Sequence, residues 1–290
     1  MGSKTDLYFA IGQDSFIGFV NFLDAGVPDK YDINFTGTQY DFNPNSPYVS
    51  NDAPGHGASH ADYETKIIAG NTFDFPYIHG LSIKNAGYSF VSCSDEAVMG
   101  ELIDLKKYKM VDLILGEEKK TQWQKPYADS VNGIQFEAMP AKLQEQLTEF
   151  LEKGKNLFVS GAYVGSDLFG NNDSVSTKFA RDILKYSHVT DHAAKSGEVF
   201  PTRSSFLKNM FSFKYSKDLN DSIYAVETPN AIAPVKSAET ILRYKENYFS
   251  AAIGYKGDYG VVVFGFPFET ILKTDVRNEI MKMIIKYFVL

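Results

Sequence analysis

Short continuous apolar runs alternate with segments of helical periodicity along most of the chain. Leu7 to Ile11 is an apolar run of the kind found in strands buried on both faces. Ser15 can cap a helix that turns Phe16, Phe19, Val20 and Leu23 inward, with Gly26 and Pro28 as its stop. A second strand is expected near 32–36. Further on, the pattern predicts a helix from Phe75 to Gly87, a strand over 89–92 and a helix from Ser94 through Leu105. Val111-Asp112-Leu113-Ile114-Leu115 is the next strand. Leu143, Leu147, Phe150 and Leu151 recur at helical spacing until Gly154. A strand over 157–160 follows, and Phe179, Ile183 and Tyr186 mark a later helix.

The last third changes rhythm. Three extended stretches, 239–244, 248–255 and 259–266, are separated by Lys-Glu-Asn and Lys-Gly-Asp turns, which predicts antiparallel pairing. A closing helix starts near Asp275 and buries Val276, Ile280, Ile284 and Tyr287. The whole reads as α/β: a mainly parallel sheet with helices on both faces and antiparallel strands near the C-terminus. No repeat or linker interrupts it, so residues 1–290 are expected to form a single domain.

Composition narrows the function. With 290 residues, 44% of them hydrophobic, a core of ordinary size is available. A single cysteine excludes a disulfide framework and Cys-based zinc or iron–sulfur sites. No apolar run approaches the ~20 residues of a membrane span. A net charge of -7, with no Lys/Arg block to offset it, argues against nucleic acid as a partner. Aromatic residues make up 14%, which fits either an aromatic-rich core or a surface that stacks on glycans. The opening Met1-Gly2-Ser3 reads as a tag remnant, so a leader and neighbouring domains are expected beyond this sequence.

Residues 40–74 read as a long polar loop, a length usually reserved for function or disorder. His56 and His60 lie there at i,i+4 spacing, and His79 follows; His188 and His192 repeat the spacing. Imidazoles with nearby Asp62 and Glu64 suit a divalent ion. Gly55 and Gly57 argue against a helix that would align the first pair, so no metal site and no cofactor is assigned. Cys93 reads as a structural thiol.

The order VDLILGEE, LQEQLTEFLEKGKNLFVSGAYVGSDL and VVVFGFPFE resembles the class I glutamine amidotransferase-like fold. That flavodoxin-like group also includes ThuA-like proteins and a β-galactosidase accessory domain. The likeness covers most of 75–290 and implies a flavodoxin-like sheet. A closer likeness, carried by GVPDKYDI, PGHGASHADYE, AGNTFDFPYIHG, AGYSFVS, VSGAYVGSD and GFPFET, is to secreted Bacteroidetes proteins labelled xanthan lyases. It implies a secreted, periplasmic or cell-surface location and a polysaccharide or oligosaccharide partner. Established xanthan lyases resemble a helical toroid joined to β-sandwiches, which this pattern does not.

The family's nucleophile elbow, G-x-C-x-G, corresponds to Gly161-Ala162-Tyr163-Val164-Gly165, with Tyr163 in place of cysteine. Its His-x-Glu pair corresponds to Pro267-Phe268-Glu269, with the histidine gone. Without thiolate or imidazole, acyl transfer has neither nucleophile nor base. Glutaminase activity is therefore not expected. Tyr163, Glu269 and His79 are the candidates for any catalysis, and Ser160, Ser166, Asp167, Glu117, His56 and His60 for ligand binding. Three functions follow: carbohydrate recognition or processing without amidotransfer, a hydrolase or lyase using Tyr163, Glu269 and a loop histidine, or a structural and assembly module. The loop over 50–80 is expected to pack over the carboxyl ends of the strands, bringing at least one of His56, His60 and His79 near Tyr163 or Glu269; without that, the structural-module reading leads.

Overall fold

A computed structural model of the chain describes residues 6–10, 23–24, 27–28, 75–116, 121–122, 134–136, 138–170, 173–218, 223 and 225–289. Its centre is a nine-stranded sheet. In chain order the sheet strands are β1 (Asp6–Ala10), β2 (Phe90–Ser94), β3 (Met110–Gly116), β4 (Asn156–Gly161), β6 (Glu198–Pro201), β7 (Phe213–Lys214), β9 (Glu239–Tyr244), β10 (Ser250–Lys256) and β11 (Gly260–Phe264). Two further strands, β5 (Tyr186–Thr190) and β8 (Ala231–Pro234), pair with each other as a separate antiparallel ribbon. The principal helices are α1 (Phe75–Asn85), α2 (Asp95–Met99), α3 (Ala141–Glu152), α4 (Val164–Phe169), α5 (Ser174–Lys178) and α6 (Thr274–Val289).

Across the sheet the order is β7-β6-β9-β10-β11-β4-β3-β1-β2. Only β3 with β4 and β4 with β11 pair in parallel. Every other neighbour is antiparallel, including β1, which is inserted between β2 and β3. The expectation of a mainly parallel flavodoxin-like sheet is corrected on this point: the sheet is mixed, with a parallel centre of three strands. A fully buried apolar run looks the same whichever way its neighbours point, so the first strand carried no sign of its direction. The antiparallel C-terminal strands are found as expected.

Alternation along the central strands separates two cores. Met110, Ile114, Phe158, Val262 and Phe264 face α1 and α6, where Ile83, Ile280, Met281 and Ile284 meet them. Val111, Leu113, Leu157, Val159, Val261 and Val263 face the other way, toward Leu143, Leu147 and Leu151 of α3. The latter spacing is the helical stripe read from sequence, and Gly154 follows it at a φ of 74°.

Several local expectations change. Leu23-Asp24 pairs with Val27-Pro28 in a small antiparallel ribbon, so Leu23 is extended rather than helical. The helix expected from Ser94 to Leu105 is the short α2 followed by a single 3-10 turn at Leu105–Lys107. Phe179 and Ile183 lie in a π-helical turn, whereas Tyr186 opens β5. The helix over 16–22, the strand over 32–36 and the loop over 40–74 lie outside the described residues.

The chain after β11 makes a close backbone crossing. Gly265 N donates to Ala251 O at 2.9 Å, and Asn230 N donates to Gly265 O at 2.7 Å. A Cβ on Gly265 would sit 2.1 Å from the Asn230 carbonyl oxygen. Gly265→Ala is therefore expected to lower stability by about 1–3 kcal/mol, because backbone must shift to admit the methyl. Denaturant melts of the variant check this; an unchanged midpoint would contradict the crossing.

Candidate functional site

Two polar constellations occur where the described elements meet the sheet. The first is enclosed between the sheet and α1. Asp112, the third residue of β3, interrupts an otherwise apolar strand and points to the α1 side. His79 on α1 reaches it: His79 Nδ1 is 2.8 Å from Asp112 Oδ2, and His79 Nε2 is 3.2 Å from Glu269 Oε2. Glu269 sits in the 3-10 turn Phe268–Thr270 beyond β11. All three are buried, and His79 packs edge-on against Phe268 with centroids 4.7 Å apart.

Burial alone would depress the imidazole's pKa, but the Asp112 carboxylate and then Glu269 outweigh it, and His79 is pushed up to about 9. At neutral pH it is an imidazolium donating from both nitrogens. Burial raises Asp112 above the ordinary carboxylate range despite His79 beside it. A buried cation held by two carboxylates ties α1, β3 and the turn after β11 together. No solvent-exposed surface remains on His79, so a substrate does not reach it in this conformation. Proton exchange with a ligand therefore has no route through it here.

The second constellation lies at the carboxyl end of β4, where the chain turns into α4. Tyr163 does not adopt a strained elbow: its φ and ψ are -114° and 16°, within the territory of ordinary residues. Its hydroxyl donates to Glu227 Oε2 at 2.5 Å. The amides that open α4 are already occupied, since Gly165 N and Ser166 N donate to Asn230 Oδ1 at 2.7 and 2.9 Å. Asn230 Nδ2 donates onward to Asp191 Oδ1 at 2.9 Å, and His188 Nε2 lies 3.4 Å from the same oxygen. Thr228 Oγ1 approaches His192 Nδ1 at 3.4 Å.

Side-chain size explains the elbow glycines. A Cβ on Gly165 would stand 2.4 Å from His188 Nδ1 and 2.9 Å from Asn230 Oδ1. A Cβ on Gly161 would stand 2.7 Å from the Leu115 Cβ. These glycines therefore serve close packing of the β5–β8 ribbon and β3 around the turn.

Solvent reaches this cleft. The Asp191 side chain is 44% exposed and that of His188 20%. Burial lowers the His188 pKa, with Asp191 pulling the other way. Its imidazole is therefore neutral at pH 7. The exposed rim offers an acidic acceptor and a neutral imidazole, Asp191 and His188, while Tyr163 is buried with its hydroxyl on Glu227.

The expected site residues fall out as follows. His79 and Glu269 are brought together, but in the enclosed cluster. Tyr163 lies in the cleft, and Ser166 Oγ approaches Asn230 Oδ1 there at 3.3 Å. Asp167 Oδ2 accepts from Ala138 N at 3.0 Å, which joins α4 to the lead-in of α3. Ser160 is buried at the end of β4 on the face shared with Phe158. Glu117, His56 and His60 lie outside the described residues. Among the described residues no group of three or more His, Cys, Asp or Glu is placed to hold a metal ion.

Sequence reasoning missed Asp112, Asp191, Glu227 and Asn230. Asp112 had a signal, a lone charge inside an apolar strand. The other three are single polar residues in irregular segments and gave none.

Comparison with known proteins adds little to this geometry. No family model matches the chain, and no curated protein matches it. Among solved structures, a GH42 beta-galactosidase aligns at 12% identity and a TM-score of 0.47, over 86% of this chain and 29% of that one. A catalytic mutant of the GH42 beta-galactosidase from G. stearothermophilus gives 13% and 0.45 over the same shares. An exo-beta-1,4-mannosidase from Opitutaceae bacterium strain TAV5 gives 11% and 0.33, over 49% and 22%. The chain thus spans less than a third of the length of each of these proteins. No described helix is long and apolar enough to cross a membrane.

Proposed function

We propose that the chain is a class I glutamine amidotransferase-like domain that has exchanged acyl transfer for carbohydrate recognition. In this reading it belongs to a larger secreted polysaccharide-associated protein, like the Bacteroidetes proteins whose motifs it resembles. The observation that carries the proposal is the state of the elbow. Tyr163 replaces the nucleophile on relaxed backbone, and Asn230 occupies the amides at the start of α4. No thiolate remains at the elbow to attack an acyl carbon, and the second and third amides of α4's first turn are taken by Asn230.

What the cleft retains is suited to hydroxyl groups. A carboxylate such as Asp191 accepts from two neighbouring sugar hydroxyls, and the half-buried Glu227, oriented by the hydroxyl of the buried Tyr163, is a second acceptor. Glu269 and His79 take no part in this reading, because both are enclosed in the internal cluster.

Calorimetric titration with gluco-, galacto- and manno-oligosaccharides tests the proposal. At least one series is expected to bind the parent protein, and Asp191→Ala is expected to weaken that binding about tenfold, the loss of one good hydrogen-bond set. Its melting temperature should fall by no more than a few degrees, because Asn230 Nδ2 loses its bond to Asp191 but keeps a longer contact to Thr228 O and the rest of the fold is untouched. Glutamine should release no ammonia. Absence of any binding, or binding indifferent to Asp191→Ala, would overturn the assignment of the cleft.

A further inference from the structure

The outer face of the sheet at its β7–β6–β9 end carries cationic and aromatic side chains together. Val199 pairs with Tyr244 across β6 and β9, and both are buried in the core under α1 and α6. Alternation therefore puts Glu198, Phe200 and Arg243 on the opposite face, where Phe200 pairs directly with Arg243. Lys214 of β7 pairs with Glu198. Lys245, one residue past β9, donates its backbone N–H to Glu198 O at 2.9 Å and its ammonium to the Glu198 carboxylate. Two lysines thus flank the Glu198 carboxylate and Arg243 lies one pair further along the same face, on a chain whose net charge is -7. Glu246, next to Lys245, is held by the amides of Lys195 and Ser196.

An aromatic pair sits among them. Tyr248 in the β9–β10 hairpin packs edge-to-face on Phe200, with centroids 5.7 Å apart, while 66% of it remains exposed. Its φ is 65°, a left-handed conformation that a bulky side chain adopts at a cost of about 1 kcal/mol or more. The turn is fixed from several sides. Arg243 Nη1 donates to Tyr248 O at 2.7 Å, Tyr248 N donates to Tyr244 O at 2.9 Å, and Phe249 N donates to Asn247 Oδ1 at 3.0 Å. A glycine would satisfy that backbone without strain, so the ring is being held outward at a cost to the fold.

We infer that this face binds an anionic polysaccharide, a uronate-bearing chain with one pyranose stacked on Tyr248 and its carboxylates directed to Arg243, Lys214 and Lys245. A flat ring face suits the axial C–H groups of a pyranose, and the local positive charge selects acidic sugars over neutral ones. The inference rests on the carbohydrate reading of the chain. It adds a second contact surface, joined to the Tyr163 cleft through the segment after Asp191: Asn247 Nδ2 donates to Ala193 O at 2.6 Å.

Affinity electrophoresis in gels containing polygalacturonate tests it, with dextran and single-stranded oligothymidylate as comparison ligands. The parent protein is expected to be retarded by polygalacturonate, less so as salt rises, and not by dextran or oligothymidylate. Tyr248→Gly removes the ring and relieves the backbone, so it should bind about tenfold more weakly while melting no lower than the parent. Lys214→Glu should weaken retardation through charge alone, and Asp191→Ala should leave it in place. No retardation of the parent, equal retardation by oligothymidylate or dextran, or Tyr248→Gly and Lys214→Glu proteins that bind as the parent does would each overturn the inference. Retardation lost on Asp191→Ala instead would move the site to the cleft. A negative result here leaves oligosaccharide binding at Asp191 to stand or fall on its own titration.

Discussion

His79→Ala is expected to lower the stability of the folded chain by about 3–5 kcal/mol, the cost of removing one partner from a buried ionic set. Without the imidazolium, Asp112 and Glu269 are left enclosed near each other with their shared cation gone. In a protein of this size, such a loss lowers the melting temperature on the order of 10 °C.

The same cluster fixes a pH dependence. The folded-state pKa of His79 lies at about 9, above its ordinary 6.5. A group raised on folding stabilises fully below its unfolded pKa and ceases to do so as pH rises through the folded one. Roughly 3 kcal/mol of stability should therefore disappear between pH 6.5 and about 9. Asp112, also raised, changes in the same sense, since its folded form too holds a proton more tightly than the unfolded chain. Denaturant melts at both pH values should show this slope in the parent and its loss in His79→Ala. Equal slopes in the two proteins would remove the ionic account of the cluster.

Asn230→Ala is the second large effect. Asn230 is fully buried, and its side chain accepts from two amides of α4 while donating to Asp191. Alanine leaves Gly165 N–H without its partner in an enclosed position and takes away the group that joins α4 to the ribbon of β5 and β8. About 3 kcal/mol is expected, from an unsatisfied amide, a lost helix cap and the small cavity together. Asn230→Asp should recover much of this, because a carboxylate oxygen can accept from both amides, while the bond to Asp191 turns repulsive. Thermal melts of the two variants distinguish these contributions; an alanine variant as stable as the parent would show that the amides find other partners.

What sequence conveyed about this fold depended on burial. β3, β4, β11 and α3 were legible because each is either continuously apolar or striped at helical spacing. Strand direction was not, since Leu7–Ala10 shows the same apolar run whether β3 beside it is parallel or antiparallel. The segment from 186 to 234 was hidden for a different reason. Phe179, Ile183 and Tyr186 are spaced as a helix would space them, yet the helical turn ends before Lys185, and Tyr186 is buried by a strand. Periodicity cannot see a change of element inside its own window.

The site divides in the same way. Tyr163, His79 and Glu269 were singled out from the elbow, the histidine count and the family pattern. Their partners Glu227, Asp112 and Asn230 come from distant segments, and only tertiary packing joins them. Proximity also changed the meaning of the first set. His79 and Glu269 meet, but in an enclosed strut rather than beside Tyr163 and its Glu227 partner.

The central claim, that the cleft around Tyr163 now recognises sugar instead of transferring an acyl group, is tested most directly by a crystal structure of the chain with an oligosaccharide selected by titration. The account predicts sugar hydroxyls within hydrogen-bond reach of the Asp191 carboxylate and the Tyr163–Glu227 pair, with Asn230 still occupying the amides of Gly165 and Ser166. An oligosaccharide bound elsewhere with the cleft unchanged would contradict it, as would a ligand that displaces Asn230 from those amides.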